Sequence, residues 1–188
     1  VALTDSLGDA GGILSGITRA SDRPGDRAIA AAAADVVAAS GLLVDGVSLQ
    51  NGAGGVSLAA ATALGERMAA RGVTGGFASG GITGVHVRLL EAGLVRALLD
   101  VQCFDQAAIR SFRADPRHQA MSAAMYARPH SRGAVVDQLD AVVLGAAEID
   151  LDFNVNVTTG ADGGIIGGSG GHAGAAAGAR LAVVATRL

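Results

Sequence analysis

The sequence predicts an α/β fold in which a mainly parallel sheet is covered by helices on both faces. Short apolar segments alternate with helical segments along the 188 residues, and this alternation is typical of strand–helix–strand units. Residues 141–144 form a continuous apolar run, as expected of a strand that is buried on both faces. Half of the residues are hydrophobic, so a single domain of this length can bury a substantial core.

The predicted elements follow a lead-in segment, residues 1–24, and belong to one domain over residues 25–188. Helices are predicted over residues 26–40, 56–71, 85–91, 106–113 and a short alanine-rich stretch after 171. Glycine or proline follows most of these helices. Strands are predicted over residues 47–50, 77–79, 98–104, 141–144, 153–158 and 181–185. Asp162 and Gly163 have the signature of a hairpin turn, after which Ile165 and Ile166 pair back. Residues 115–134 are expected to be irregular and to cross the surface near a site.

The composition excludes several classes of function. All 14 basic residues are arginine, so a P-loop lysine and a lysine Schiff base are excluded. The net charge is −3 and the cations are spread along the chain, which argues against a nucleic-acid partner. No segment is typical of a membrane span or signal peptide, and the single Cys103 suits a reducing compartment, so we expect a cytoplasmic location. The four histidines show no metal-ligand spacing, so no metal site is predicted.

A glycine-rich segment directly follows the first predicted strand. Gln50 and Asn51 lead into Gly52, Gly54 and Gly55, and a helix begins immediately afterwards. Consecutive glycines allow close approach to the backbone, and the free amides at a helix start attract anions. The spacing is not a dinucleotide fingerprint, because the third glycine position is a serine. Two interpretations remain open: a tight strand-to-helix turn, or a loop that binds an anion or a thioester.

A second glycine-rich segment spans residues 167–171 and ends at His172. It contains a match to the dinucleotide motif, but a two-residue strand precedes it and the helix after it is short. It also matches the nucleophile elbow around Ser169, yet no carboxylate side chain follows for a catalytic triad. An oxyanion-binding loop made of backbone amides needs neither partner.

Three acidic residues alternate with apolar ones at Glu148, Asp150 and Asp152. On a strand all three carboxylates would face one way, and Asn154 and Asn156 would continue the same face. This pattern allows a general base or a carboxylate that meets an acyl group, a divalent metal site, or an exposed strand end.

Several segments together resemble the citrate lyase alpha chain, the citrate:acyl-carrier transferase subunit. Their order along the chain is that of the family, and they cover residues 15–19, 50–59, 80–83, 98–105, 148–157 and 168–172. Since family members are much longer, the chain resembles the second half of the subunit without its extreme end. The resemblance implies a CoA-transferase-like fold of the NagB/RpiA/CoA-transferase type.

The resemblance also implies a reaction and partners. An acetyl thioester on an acyl carrier would exchange with citrate, giving citryl thioester and acetate, and citramalate is a close competitor as substrate. A beta (lyase) subunit would then cleave the citryl thioester, and a gamma (acyl carrier) subunit would supply the CoA-derived arm, so this chain would hold no covalent cofactor. An oligomeric assembly is implied. The alternatives are a non-catalytic acyl-thioester-binding domain and a nucleotide-binding α/β domain.

The expected site combines these segments. Related CoA-transferases carry a glutamate after the first glycine loop, whereas residues 76–80 contain none, so a direct reaction without a covalent enzyme intermediate is expected. His172 is followed by alanine, whereas family members usually place an aspartate nearby. The expected catalytic residues are Glu148, Gly54, Gly55, Gly170 and Gly171. The expected substrate-binding residues are Arg19, Gln50, Asn51, Gly52, Asn154, Asn156, Gly168, Ser169 and His172, and Arg128 and Arg132 are further candidates to neutralise citrate.

Overall fold

A six-stranded, wholly parallel sheet forms the centre of the structure. The structure is a computed structural model that describes residues 3–6, 8, 18–128 and 133–187. Its strands, in chain order, are β1 (Ser48–Asn51), β2 (Phe77–Ile82), β3 (Leu98–Cys103), β4 (His118–Ala120), β5 (Ala141–Gly145) and β8 (Leu181–Ala185). They lie side by side in the order β4-β3-β2-β1-β5-β8. A separate antiparallel pair is formed by β6 (Glu148–Ile149) and β7 (Val155–Asn156).

Helices cover both faces of this sheet. They are α1 (Pro24–Ala39), α2 (Gly55–Arg71), α3 (Gly84–Glu91), α4 (Gln106–Ala114), α5 (Ala123–Tyr126), a 3₁₀ helix (Val135–Gln138) and α6 (His172–Gly178). Successive strand residues point to opposite faces. Val143 therefore belongs to the core shared with α1 to α4, whereas Val142 and Leu144 belong to the core shared with α5, the 3₁₀ helix and α6. The predicted α/β class, with a parallel sheet between two helical layers, is confirmed. In the described ranges no helix is both long and apolar enough to cross a bilayer.

Three predictions of local structure were wrong. Residues 115–134 contain β4, paired with β3 from Leu98↔His118 onward, and the short helix α5. Strand β2 continues through two glycines to Ile82, because its pairing with β3 resumes after a register shift. The strand predicted over 153–158 is reduced to β7, since Phe153 adopts a left-handed conformation with φ 61°. The predicted turn is present: Gly160 N donates to Gly164 O at 2.9 Å, and Ile166 N donates to Thr158 O at 2.9 Å.

The order of the strands places a crevice beside β1. From β1 the chain proceeds to β2 on one side, whereas β5 pairs with β1 on the other side. Connections that diverge from neighbouring parallel strands leave an opening at the strands' carboxyl ends, which is where open α/β sheets bind ligands. Residues 52–57, after β1, and residues 145–147, at the end of β5, border this opening.

Candidate active site

A cavity of about 520 Å³ lies at this opening beside the carboxyl end of β1. Its walls come from residues 52–57 after β1, residues 145–147 after β5 and residues 185–187 after β8. The hairpin and second glycine segment complete it with Val157, Ile166, Gly168, Ser169 and His172. Elements that are distant in sequence therefore meet around one space, as the fold requires of residues at the carboxyl ends of neighbouring strands.

The amino terminus of α2 forms one wall. Gly54 is its N-cap in an extended conformation, no side chain caps the helix, and no acidic residue occupies its first turn. The first backbone bond of the helix runs from Leu58 N to Gly54 O at 2.9 Å, so the three preceding amides have no acceptor within the helix. These N–H groups and the positive end of the helix dipole favour a negatively charged ligand.

Ser57 adds a hydroxyl to this wall. Its Oγ is fully buried and has no hydrogen-bond partner among the described residues, although Ser57 lines the cavity. A Cβ on Gly52 would lie 3.3 Å from this oxygen, and one on Gly145 3.6 Å, so the two glycines leave the hydroxyl uncrowded by neighbouring side chains. In the sequence, Ser57 stands out only because it occupies the third glycine position of the dinucleotide fingerprint. Its significance is visible only once β5 is placed beside it.

Part of the second glycine segment lines the cavity. Gly168, Ser169 and His172 line the cavity, and His172 Nε2 lies 2.9 Å from Gly145 O. Since a carbonyl only accepts, this nitrogen is the donor of the hydrogen bond. Gly170 and Gly171 are not among the lining residues; Gly171 packs so closely on the Tyr126 ring that a Cβ there would collide with it. The structure therefore does not bring these two glycines to the cavity.

Arg187 is the charged side chain on the described lining of the cavity, and sequence analysis missed it because no motif surrounds it. Its Nε and Nη2 donate to Asp26 at 2.8 and 2.7 Å. These bonds, with one from Ser21, lower the pKa of Asp26 to about 2. A second cavity of about 690 Å³ shares Gly54, Gly55 and Arg187 with the first.

This second cavity contains the predicted Arg19 together with Arg23. Two arginines from the approach to α1 and one from the end of β8 therefore gather around the uncapped start of α2. Such a cluster suits a ligand with several carboxylates, because arginine pairs with them bidentately. Arg128 is exposed and lines neither cavity, and Arg132 lies outside the described residues, as does part of the 15–19 segment.

Gln50 and Asn51 lie beneath the cavity rather than on its surface. Gln50 Nε2 donates to the Tyr126 hydroxyl at 2.6 Å and its Oε1 accepts from Ser79 at 3.2 Å. Asn51 Nδ2 donates to Ser57 O at 3.1 Å. Both side chains are buried, so their bonds fix the loop and the first turn of α2 and do not reach the lining.

The acidic segment is not a face of parallel carboxylates, and that prediction was wrong. Only Glu148 is in a strand; Asp150 instead closes a turn by accepting from the backbone of Asp152 and Asn154 at 2.9 and 2.8 Å. Asn154 also donates to Asp150, and Asn156 donates to Glu148 Oε2 at 2.9 Å. None of these residues lines the cavity. Their bonds hold the hairpin that carries the second glycine segment.

Two further residues with reactive side chains lie outside the cavity lining. Burial, together with a hydrogen bond to Asp100, raises the pKa of the Cys103 thiol to about 12, so the thiol is not a nucleophile. His86 is fully buried in α3, where its Nδ1 accepts from Thr83 N at 3.2 Å and completes a capping box. Burial lowers the pKa of His86 to about 4, and the ring is neutral near pH 7.

These features define an α/β protein with a cavity at the carboxyl ends of its parallel strands, bordered by an uncapped helix start, where the described lining carries no lysine, cysteine or carboxylate. Comparison with known proteins identifies the family. Residues 1–188 match the family described as citrate lyase, alpha subunit (CitF), and the chain belongs to this family.

Individual relatives agree with this assignment. The chain is 46% identical over 188 residues to the citrate lyase alpha chains of Haemophilus influenzae and Escherichia coli, covering 38% and 37% of their lengths. A crystal structure described as the alpha subunit of citrate lyase in complex with citrate, from Streptococcus mutans, superposes with a TM-score of 0.89 at 45% identity. It matches 96% of this chain and 36% of that one. The chain thus spans little more than a third of these relatives.

Proposed function

We propose that the cavity is the acyl-transfer site of a citrate lyase alpha subunit, where an acetyl thioester and citrate exchange to give citryl thioester and acetate. The observation that carries the proposal is the uncapped start of α2, with the buried and unpartnered Ser57 Oγ, facing the second glycine segment across one cavity. The family supports a role in citrate lyase. The transfer reaction is our inference from the resemblance to this family, and the geometry of the cavity supports it.

The reaction needs no nucleophile from the protein. A citrate carboxylate attacks the acetyl thioester carbonyl, which gives a mixed anhydride and releases the thiolate. The thiolate then attacks the citryl carbonyl of the anhydride, forming the citryl thioester and releasing acetate. In each step negative charge develops on a carbonyl oxygen, where a preorganised hydrogen-bond donor contributes about 3–4 kcal/mol. The amides of Gly55 and Val56 and the Ser57 hydroxyl are the proposed donors.

The arginine cluster is the proposed citrate-binding element. Arg187 is held by Asp26 through Nε and Nη2, and Nη1 makes no hydrogen bond to a described residue. Arg19 lines the adjoining cavity. The solved relative from Streptococcus mutans is described in complex with citrate, and by similarity we extend citrate binding to this chain. Holding both reactants in one cavity removes much of the entropic barrier to their reaction.

The thioester arm would come from outside the chain. The described lining offers no cysteine, lysine or carboxylate side chain to carry the acyl group, which supports a mobile CoA-derived arm on an acyl carrier subunit. We therefore propose the acyl carrier (gamma) and lyase (beta) subunits as partners, the lyase subunit taking the citryl thioester onward.

The decisive experiment is exchange of labelled citrate into an acetylated acyl carrier in the assembled complex. Ser57→Ala removes the hydroxyl and is expected to slow exchange by about 100- to 1,000-fold, the cost of losing one preorganised oxyanion donor. Its folding stability should not fall, because the hydroxyl has no described partner to lose. Ser40→Ala, at the end of α1 and outside the cavity, is the matched control and should exchange at the wild-type rate.

Two results would overturn the proposal. Citrate binding without any label in the carrier would indicate the binding-domain alternative. Full exchange in Ser57→Ala would show that the reaction occurs elsewhere.

A further inference from the structure

A carboxylate, a thiol and an imidazole, all side-chain types that can ligate metals, meet at the edge of the sheet away from the cavity. Cys103 Sγ lies 2.8 Å and His118 Nε2 lies 3.1 Å from Asp100 Oδ2, and all three ligand atoms lie within 4.8 Å of one another. Asp100 and His118 are buried, and Cys103 is partly exposed. We propose that these residues form a zinc-binding site.

A β-bulge in β3 creates this arrangement. Residues three apart on a regular strand point to opposite faces, so Asp100 and Cys103 would not meet. The pairing with β2, however, passes from Gly80↔Asp100 to Gly81↔Gln102, which leaves Val101 as an extra residue. Asp100 Oδ1 accepts from Gln102 N at 2.7 Å and fixes the bend. The extra residue reverses the alternation and brings the thiol to the carboxylate.

The separations are close to those of a tetrahedral site. Zinc bonds of about 2.0–2.3 Å imply ligand atoms roughly 3.3–3.6 Å apart. The thiol and the imidazole lie 2.8 and 3.1 Å from Asp100 Oδ2, so their distances to the carboxylate need to lengthen by well under an ångström. Zinc takes the place of the Cys103 thiol proton, which leaves for solvent. The thiolate and the Asp100 carboxylate then balance the charge of Zn²⁺, and a buried site without net charge avoids most of the desolvation cost.

The surroundings of His118 orient it as a ligand. Its Nδ1 lies 3.1 Å from Ser111 Oγ, so the ring can donate there while Nε2 faces the other two residues. Phe112 packs edge-on against the ring, with centroids 5.6 Å apart. A hydrogen bond to the second nitrogen is the usual support of a metal-bound histidine. Three protein ligands leave one tetrahedral position, which a water molecule completes.

Identity of the metal follows from the donor set. Thiolate, imidazole and carboxylate in tetrahedral array suit zinc better than magnesium or calcium, which prefer oxygen ligands in larger shells. The site joins β3 to the edge strand β4 and to α4. The spacing of the three residues in the sequence does not predict this site, because the bulge in β3 brings them together.

Cobalt(II) is the probe, because it occupies zinc sites and absorbs light. Titration of the reduced, untagged full chain should give one thiolate-to-cobalt charge-transfer band that saturates at one ion per chain and disappears when zinc is added. Since Cys103 is the chain's one cysteine, the band reports this residue alone, and Cys103→Ser should lose it. Ser111→Ala, a positioning variant, should keep the band but bind about 10- to 100-fold more weakly.

The proposal is overturned if folded wild-type protein with a free thiol shows no band at millimolar cobalt. It is also overturned if the band persists with unchanged affinity in both Asp100→Asn and His118→Gln. Should either variant fail to fold, X-ray absorption of the zinc-loaded wild type decides the question. One sulfur among nitrogen and oxygen ligands supports the site, and a shell without sulfur contradicts it.

Discussion

At the scale of single residues, two buried polar atoms have no partner among the described residues, Ser57 Oγ and His86 Nε2. A buried group without a hydrogen bond costs about 1–3 kcal/mol, so each should have a compensating reason to persist. For Ser57 the reason is the cavity that it lines. For His86 it is the capping box, in which the other ring nitrogen accepts from Thr83 N.

The buried imidazole predicts an acid-sensitive stability. The pKa of His86 is about 4 in the folded chain against an ordinary 6.5, so protonation favours unfolding. Its neutral form gives full stability above pH 6.5, and stability is lost as the pH falls from there toward 4. In His86→Gln, whose amide oxygen can still accept from Thr83, the loss over this range should be shallower by up to about 1.4 kcal/mol per pH unit.

Urea unfolding of both proteins at several pH values measures this difference. Equal slopes for the wild type and the variant would contradict it. Near pH 7 the two proteins should differ little, because the glutamine preserves the capping bond.

Sequence alone identified some site residues and not others. Gly52, Gly54 and Gly168 were found because a run of glycines is a local signal. Arg187 and Ser57 were missed, since their importance arises from strands that pair across the chain. Glu148 was chosen because it was expected to share a strand face with Asn154 and Asn156, but the alternation that predicts this face ends in a turn at Asp150. Patterns of period two predict a strand only where the backbone stays extended.

At the scale of elements, helix ends were predicted well because the stop signals are local. Helix α2 ends at Gly72, whose φ of 66° disfavours other residues, as the sequence predicted. Strand β4 was missed because its three residues include two polar ones and gain their conformation from pairing with β3. Short edge strands depend on their neighbours more than on their own composition.

At the uncapped start of α2, a residue that stabilises the helix is expected to weaken ligand binding. Gly54 is the N-cap, and a Cβ there would meet nothing within 4 Å. An aspartate would cap the helix and stabilise the fold by a few tenths of a kcal/mol over glycine. The same carboxylate would occupy the anion site and repel citrate. Gly54→Asp should therefore raise the urea midpoint slightly while citrate affinity falls by at least about tenfold, roughly 1.4 kcal/mol.

Calorimetric titration with citrate and urea unfolding test the two halves of this prediction. Gly54→Ala is the matched control, since it fits the same open space without charge and should bind citrate within a few-fold of wild type. Unchanged affinity in Gly54→Asp would place the anion site elsewhere.

At the scale of the whole molecule, one ion pair joins the two ends of the described domain. Asp26, in the first turn of α1, receives two hydrogen bonds from Arg187, which follows β8, and one from Ser21. Ser21 N also donates to Gly55 O at 2.9 Å, at the start of α2. The lead-in segment, two helices and the last strand are thereby tied together beside the cavity.

This tie predicts a second loss of stability in stronger acid. The pKa of Asp26 is about 2 in the folded chain and 3.8 ordinarily, so its stabilising effect is complete above pH 4 and disappears as the pH falls toward 2. Asp26→Asn should be less stable than wild type at pH 7, and its stability should fall less steeply between pH 4 and 2. Asp35→Asn breaks an exposed pair with Arg67 and is the matched control, expected to cost less than about 1 kcal/mol. Parallel pH profiles for wild type and Asp26→Asn would show that the two ends fold independently of this pair.

Because Arg187 also lines the cavity, freeing it from Asp26 should weaken citrate binding at pH 7 as well, which calorimetry on the same protein measures.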